Sequence, residues 1–179
     1  KYANGEKVSD LRVIDTCGQR NTGTLLRFWP NAIYFDSIKF SLSKLRHVLR
    51  AKAVLSAGLT VTFKDEQTKA QPDKWYYEDG LQDYLTDALH GWELVPAKPF
   101  IGSFSSQNEA AAWALQWMPE GGDLLQESYV NLIPTTQGGT HVNGLRSGLL
   151  EAIREFCEFR NLLPRGVKLA PDDIWDRCS

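Results

Sequence analysis

The sequence predicts an α+β fold, and three observations carry that prediction. Apolar residues recur at helical spacing in three places: Leu42, Leu45 and Leu49; Leu81, Tyr84, Leu85 and Leu89; and Leu145, Leu149, Ile153 and Phe156. Residues 59–63 alternate apolar and polar, and after a polar tip residues 74–77 return as a hairpin partner. Two further β-patterned segments, 100–104 and 128–133, lie between the second and third helical patterns. The chain has 179 residues, 42% of them hydrophobic and 23% charged, which excludes wholesale disorder. A globular chain of this length buries roughly 70% of its unfolded surface.

In chain order, residues 11–14 and 25–29 read as short strands separated by a turn-rich stretch at 17–23. Pro30 closes the second, having no amide hydrogen for a ladder. Ser41 precedes the first helix, in which Val48 stands beside the Leu42, Leu45 and Leu49 face and Gly58 supplies the stop. Glu78-Asp79-Gly80 is a natural break before a short amphipathic helix that ends at Gly91. Pro96 and Pro99 bracket a connector. The alanine-rich segment 109–117 is ambiguous: alanine favours helix, yet it stops at Met118-Pro119-Glu120-Gly121-Gly122 like a hairpin arm. The long third helix includes Phe159 near its apolar face. Ala170-Pro171-Asp172-Asp173-Ile174-Trp175 reads as a helix start, with proline at the first helical position and carboxylates in the first turn. With Lys1 first and Met118 the single methionine, this ending predicts an interior piece of a longer protein.

Charge is divided along the chain. Residues 1–80 carry 13 Lys+Arg against 9 Asp+Glu, and residues 81–179 carry 7 against 13. No acidic residue occurs between Asp36 and Asp65, where Lys39, Lys44, Arg46, Arg50, Lys52 and Lys64 lie. Such a run either makes a positive field that attracts phosphates or is a solvated helix face. Cys17, Cys157 and Cys178 show no zinc or disulfide spacing and read as reduced thiols of a cytosolic, cytoplasmic protein. His47, His90 and His141 are equally scattered, so no metal site is expected. No run of about 18 apolar residues exists to form a membrane-spanning helix.

Candidate chemistry is sparse. Gly138-Gly139-Thr140-His141 leads into the third helix. Such a loop either offers free amides and a helix dipole to an anion, or is a tight turn with Thr140 or Asn143 as cap. It is not a Walker loop, because no Gly-Lys-Ser/Thr follows. His141 has no acidic or nucleophilic neighbour in sequence to make it a general base. Gln67-Thr68-Lys69 looks like a phosphate reader but falls on the expected hairpin tip, where polar residues belong anyway.

Several longer motifs carry a resemblance. Thr22-Gly23-Thr24-Leu25-Leu26-Arg27-Phe28-Trp29-Pro30, the Tyr77-Glu78-Asp79-Gly80 break, and Asn131-Leu132-Ile133-Pro134 through His141 resemble the ATPase-bearing B subunits of bacterial type IIA topoisomerases. Tyr34-Phe35-Asp36-Ser37, Leu49-Arg50-Ala51-Lys52-Ala53-Val54-Leu55 and Asn161-Leu162-Leu163-Pro164-Arg165-Gly166-Val167-Lys168-Leu169 favour the topoisomerase IV branch over gyrase. The resemblance spans nearly the whole chain and an interior piece of the family's B subunit. It implies that residues 1–80 are the C-terminal part of a GHKL-type ATPase α/β sandwich. Residues 81–179 would then be the N-terminal part of a transducer domain, ribosomal protein S5 domain 2-like. On this analogy the alanine-rich segment is a strand.

The resemblance implies few site residues here. Thr24 matches a threonine at the adenine end of the ATP pocket, and Arg146 an arginine facing a DNA-sized cavity between two transducer domains. The family's general-base glutamate, adenine-binding aspartate and glycine-rich lid would precede Lys1, and its glutamine-threonine-lysine loop would follow Ser179. No catalytic residue and no metal ligand is therefore expected in this chain, which alone would be inactive. The parent protein would use ATP and Mg2+, dimerise through a second copy around double-stranded DNA, and work with an A-type subunit that cleaves DNA. The alternatives are a gyrase B piece and a non-catalytic module binding DNA through the cationic run and Arg146.

Overall fold

The computed structural model describes residues 1–179 and divides into two compact units, Lys1–Leu45 and Arg46–Ser179. In the first, Asn4 and Gly5 both adopt positive φ, 52° and 84°, and turn strand β1 (Tyr2–Ala3) back onto β2 (Glu6–Lys7). Asn-Gly is the sequence signal for such a two-residue turn. The Asn31 side-chain amide donates to Asn4 Oδ1 at 2.8 Å and the Tyr34 hydroxyl to the Asn4 carbonyl at 2.9 Å.

The strands expected at 11–14 and 25–29 are not formed. Leu11, Val13, Ile14, Leu25 and Leu26 all stand exposed, Leu11 completely. The apolar residues are there, but a strand needs a neighbour's amides and carbonyls, and no edge pairs with either segment. What order exists is aromatic: Phe28 meets Phe40 edge-on at 5.4 Å beside a cavity of about 340 Å3, lined by Phe28, Trp29, Pro30, Phe35, Ile38 and Phe40.

Helix α1 (Leu42–Leu55) begins in the first unit and continues into the second. The expected leucine face is only half-buried and Val48 is exposed; the buried positions are Ala51, Ala53 and Val54 in the last turns. Small side chains there let the backbone approach Tyr77, with Val61, Trp75, Leu81 and Tyr84 around the cluster. Gly58, at φ 79°, ends this stretch as expected and donates its N–H to the Tyr77 carbonyl at 2.9 Å. Strands β3 (Val61–Phe63) and β4 (Asp73–Trp75) pair antiparallel, Val61 opposite Trp75. Their tip is an Asx turn in which Asp65 Oδ1 accepts the Gln67 N–H.

Helix α2 (Leu81–Ala88) turns Leu81 and Tyr84 toward that cluster and Leu85 and Leu89 toward a second one with Met118, Leu94, Ala114 and Leu125. Beneath it β5 (Val95–Ser105) and β6 (Ala110–Trp117) form a hairpin, with Phe104 opposite Ala111 and Phe100 opposite Leu115. The alanine-rich segment is thus a strand: pairing with β5 and burial of Leu115 and Gln116 override its helix propensity. Pro96 and Pro99 lie inside β5, not in a connector. The ladder breaks register between Val95 and Phe100, where residues lacking an N–H do no harm. On the other edge of β6, Gln116 and Ser179 exchange backbone hydrogen bonds at 2.9 and 2.8 Å.

The single strand expected at 128–133 is instead a tight hairpin of β7 (Tyr129–Val130) and β8 (Ile133–Pro134). Asn131 and Leu132 at its tip have φ 48° and 66°, a left-handed turn that reverses the chain. Helix α3 (Thr140–Phe159) starts after Gly139, which is its N-cap with no side-chain cap bond. Neither Thr140 nor Asn143 caps it. Helix α4 (Pro171–Trp175) begins with proline as expected, and Asp173 accepts the Ala170 N–H at 2.7 Å. No helix is long and apolar enough to cross a membrane.

Candidate functional site

Arg46, His47, Arg50 and Lys52 fall within two turns of α1, and residues four apart share a helix face. Each has a partner elsewhere in the chain. Arg46 Nε donates to Asp73 Oδ2 on β4 at 2.8 Å. Arg50 Nε donates to the Tyr77 hydroxyl at 2.7 Å and Nη2 to Asp87 Oδ2 on α2 at 3.2 Å, while its guanidinium lies 4.9 Å from the Tyr84 ring centroid. Lys52 Nζ donates to the Leu132 carbonyl at the β7–β8 tip. Half of the expected cationic run is therefore engaged by the protein's own groups, and only Lys39, Lys44 and Lys64 remain exposed for a phosphate.

His47 and Arg50 lead to a second centre. Glu127 Oε2 accepts the Tyr129 hydroxyl at 2.7 Å and the Tyr84 hydroxyl at 3.2 Å, and Oε1 stands 3.9 Å from His47 Nε2. Burial and then the Glu127 charge push the Tyr84 phenol up to about 12. Burial, followed by the Glu127 hydrogen bond, also pushes Tyr129 up. Both phenols bind their protons more tightly folded than unfolded. Their contribution to stability is thus fully present below the ordinary tyrosine range near about 10 and is lost as pH rises through the folded values. An alkaline absorbance titration should hold Tyr84 back until about pH 12, with Tyr129 lagging as well, and Tyr84→Phe should remove one of the two late phenols. A titration in which no phenol lags would contradict the burial of these two rings beside Glu127.

Beside Arg50 runs an open groove of about 670 Å3 lined by Arg50, Lys74, Trp75, Tyr77, Asp87 and His90. Its charges have both signs and Arg50 and Asp87 already pair, so it presents no converging set of donors or acceptors.

The residues singled out in the sequence do not meet. Thr24 is exposed on an irregular segment, and the apolar cavity of its unit does not include it. Arg146 is exposed on α3 with its guanidinium 5.4 Å from the Trp175 ring centroid. A cation over an aromatic face keeps its charge and loses freedom, which suits contact with phosphate without base reading. His141 Nε2 lies 3.3 Å from Thr135 Oγ1, across the glycine loop. No cluster of three or more His, Cys, Asp or Glu side chains is placed to hold a metal ion. The three thiols are unpaired, and burial pushes that of Cys178 up to about 11. The Glu127 centre was missed in the sequence. Its only signal was Glu127 standing two residues before Tyr129.

Comparison with known proteins extends this picture. Residues 80–179 match the family model described as DNA gyrase B. Along 99% of its length the chain is 66% identical to the B subunit of DNA topoisomerase 4 from Haemophilus influenzae and 63% identical to that from Escherichia coli. It spans 28% of the length of these relatives. The structure is similar to the topoisomerase IV ATP binding domain of Francisella tularensis, with TM-score 0.70 and 39% identity over 94% of this chain and 45% of that one. It is also similar to the 43K ATPase domain of Thermus thermophilus gyrase B, with TM-score 0.65 and 26% identity over 80% of this chain and 39% of that one.

Proposed function

The chain belongs to the DNA gyrase B family, and from that premise we propose that it is the piece of a topoisomerase IV B subunit joining the ATPase module to the transducer. Identity of 66% along 99% of the chain to a topoisomerase 4 B subunit carries this reading. The 26% identity to a gyrase B ATPase domain argues against the gyrase alternative. In this reading residues 1–80 complete a GHKL-type ATPase domain and residues 81–179 open the transducer. Thr24 supports the adenine end of an ATP pocket whose other contacts, with any Mg2+, lie in the longer protein. The unpaired apolar segments at 11–14 and 25–29 fit strands whose sheet is completed there. Arg146, held over Trp175, faces double-stranded DNA enclosed by two B subunits, and an A-type subunit performs cleavage. Phosphate contact of that kind adds affinity without sequence preference.

The test uses the full-length protein with its A-type partner. Linked DNA circles should separate only when ATP is supplied, and relaxed circles should acquire no negative supercoils. Negative supercoiling would replace this reading with gyrase. Separation that ignores ATP would remove it.

A further inference from the structure

We propose that Glu127 is a positioning residue that fixes α1, α2 and the β7–β8 hairpin as one body, so that movement of the nucleotide-side helix reaches the transducer. The proposal rests on the functional reading above and deepens it.

The geometry is convergent. One carboxylate accepts hydroxyl hydrogen bonds from Tyr84 of α2 and Tyr129 of β7, and faces His47 of α1. The same three elements are tied a second time. Arg50 of α1 reaches Tyr77 and Asp87 and covers the Tyr84 ring. Lys52 of α1 donates to the carbonyl of Leu132, a non-glycine residue held at φ 66°. Apolar contact among Ala53, Val54, Tyr77, Leu81 and Tyr84 already holds α1 against α2. That contact is non-directional in itself, and the hydrogen-bonded groups add direction to it. Hydrogen-bonded charges at partly exposed positions add little net stability but accept only one geometry. Glu127 is the one group that addresses all three elements at once. Its role is therefore to set how they move together.

The experiment compares the wild-type full-length protein with Glu127→Ala, Glu127→Gln and Tyr129→Phe, each assembled with the A-type partner. ATP turnover and strand passage are measured on the same sample. Mutations within coupling networks change coupling by about 2- to 30-fold, so Glu127→Ala should lower strand passages per ATP within that range, with turnover changed less than the ratio. Glu127→Gln keeps a neutral acceptor for the hydroxyls and should recover part of the ratio. Tyr129→Phe keeps the ring and should lie between wild type and Glu127→Ala. If Glu127→Ala does not fold, the other two variants decide: an unchanged ratio in both overturns the proposal. Equal loss of turnover and strand passage in every variant also overturns it, leaving a merely structural role. A wild-type protein without ATP-dependent strand passage overturns the functional reading and the proposal together.

Discussion

Leu89→Ala should destabilise the chain by about 2–5 kcal/mol. Leu89 is 1% exposed and packs with Leu85 and Met118 where α2 crosses the β5–β6 hairpin, with Leu94, Ala114 and Leu125 around it. Truncation removes apolar surface from a closed site and leaves a cavity, because helix and hairpin are fixed by other contacts and cannot close over it. Few other side chains are so enclosed, so little else can compensate. Urea unfolding should show a lower midpoint with an unchanged slope. Phe159→Ala is the matched control. That ring is exposed on α3, so its loss should change stability by less than about 0.5 kcal/mol. Equal effects of the two substitutions would mean that the second core does not exist as described.

The contrast between Leu89 and Phe159 also marks what was legible in the sequence. Periodicity found all three longer helices, because a helix satisfies its own backbone and needs only an apolar stripe. It did not find which part of the stripe is used: on α1 the buried positions are Ala51, Ala53 and Val54, chosen by the approach of Tyr77. Strands are less legible because they need partners. Residues 61–63 of the expected 59–63 and residues 110–117 have them; residues 11–14 and 25–29 are also rich in apolar side chains and have none. The alanine-rich strand was readable only through family resemblance, since its own propensity points to helix. The hairpin at Asn4-Gly5 had a plain signal that went unread. Thr24 and Arg146 could be named by resemblance, yet neither the exposure of the first nor the stacking of the second on Trp175 follows from any motif. Glu127 was the least legible. It gathers His47, Tyr84 and Tyr129 from three elements, and only the fold brings them together.

Gly80→Ala is expected to be the most damaging of the glycine substitutions next to α1. Gly80 is the N-cap of α2 with φ 54° and ψ −114°, a conformation that a side chain with a Cβ adopts only under strain. Such strain costs about 1–3 kcal/mol. The added Cβ would also stand 3.0 Å from the Val54 carbonyl oxygen and 3.4 Å from the Ala57 Cβ. The carbonyl is backbone at the end of α1 and cannot swing aside as a flexible side chain would. Relief requires α2 to move away from α1, which opens the cluster of Ala53, Val54, Tyr77 and Leu81. Gly144→Ala supplies the opposite case. Gly144 lies inside α3 with nothing within 4 Å of an added Cβ, so alanine there should stabilise by about 0.4–1 kcal/mol by restricting the unfolded chain. Thermal unfolding of the two variants should therefore shift in opposite directions from wild type. A Gly80→Ala chain that melts at the wild-type temperature would mean that the α1–α2 junction tolerates another backbone conformation. The close fit between those helices would then not be what orients the segment that follows.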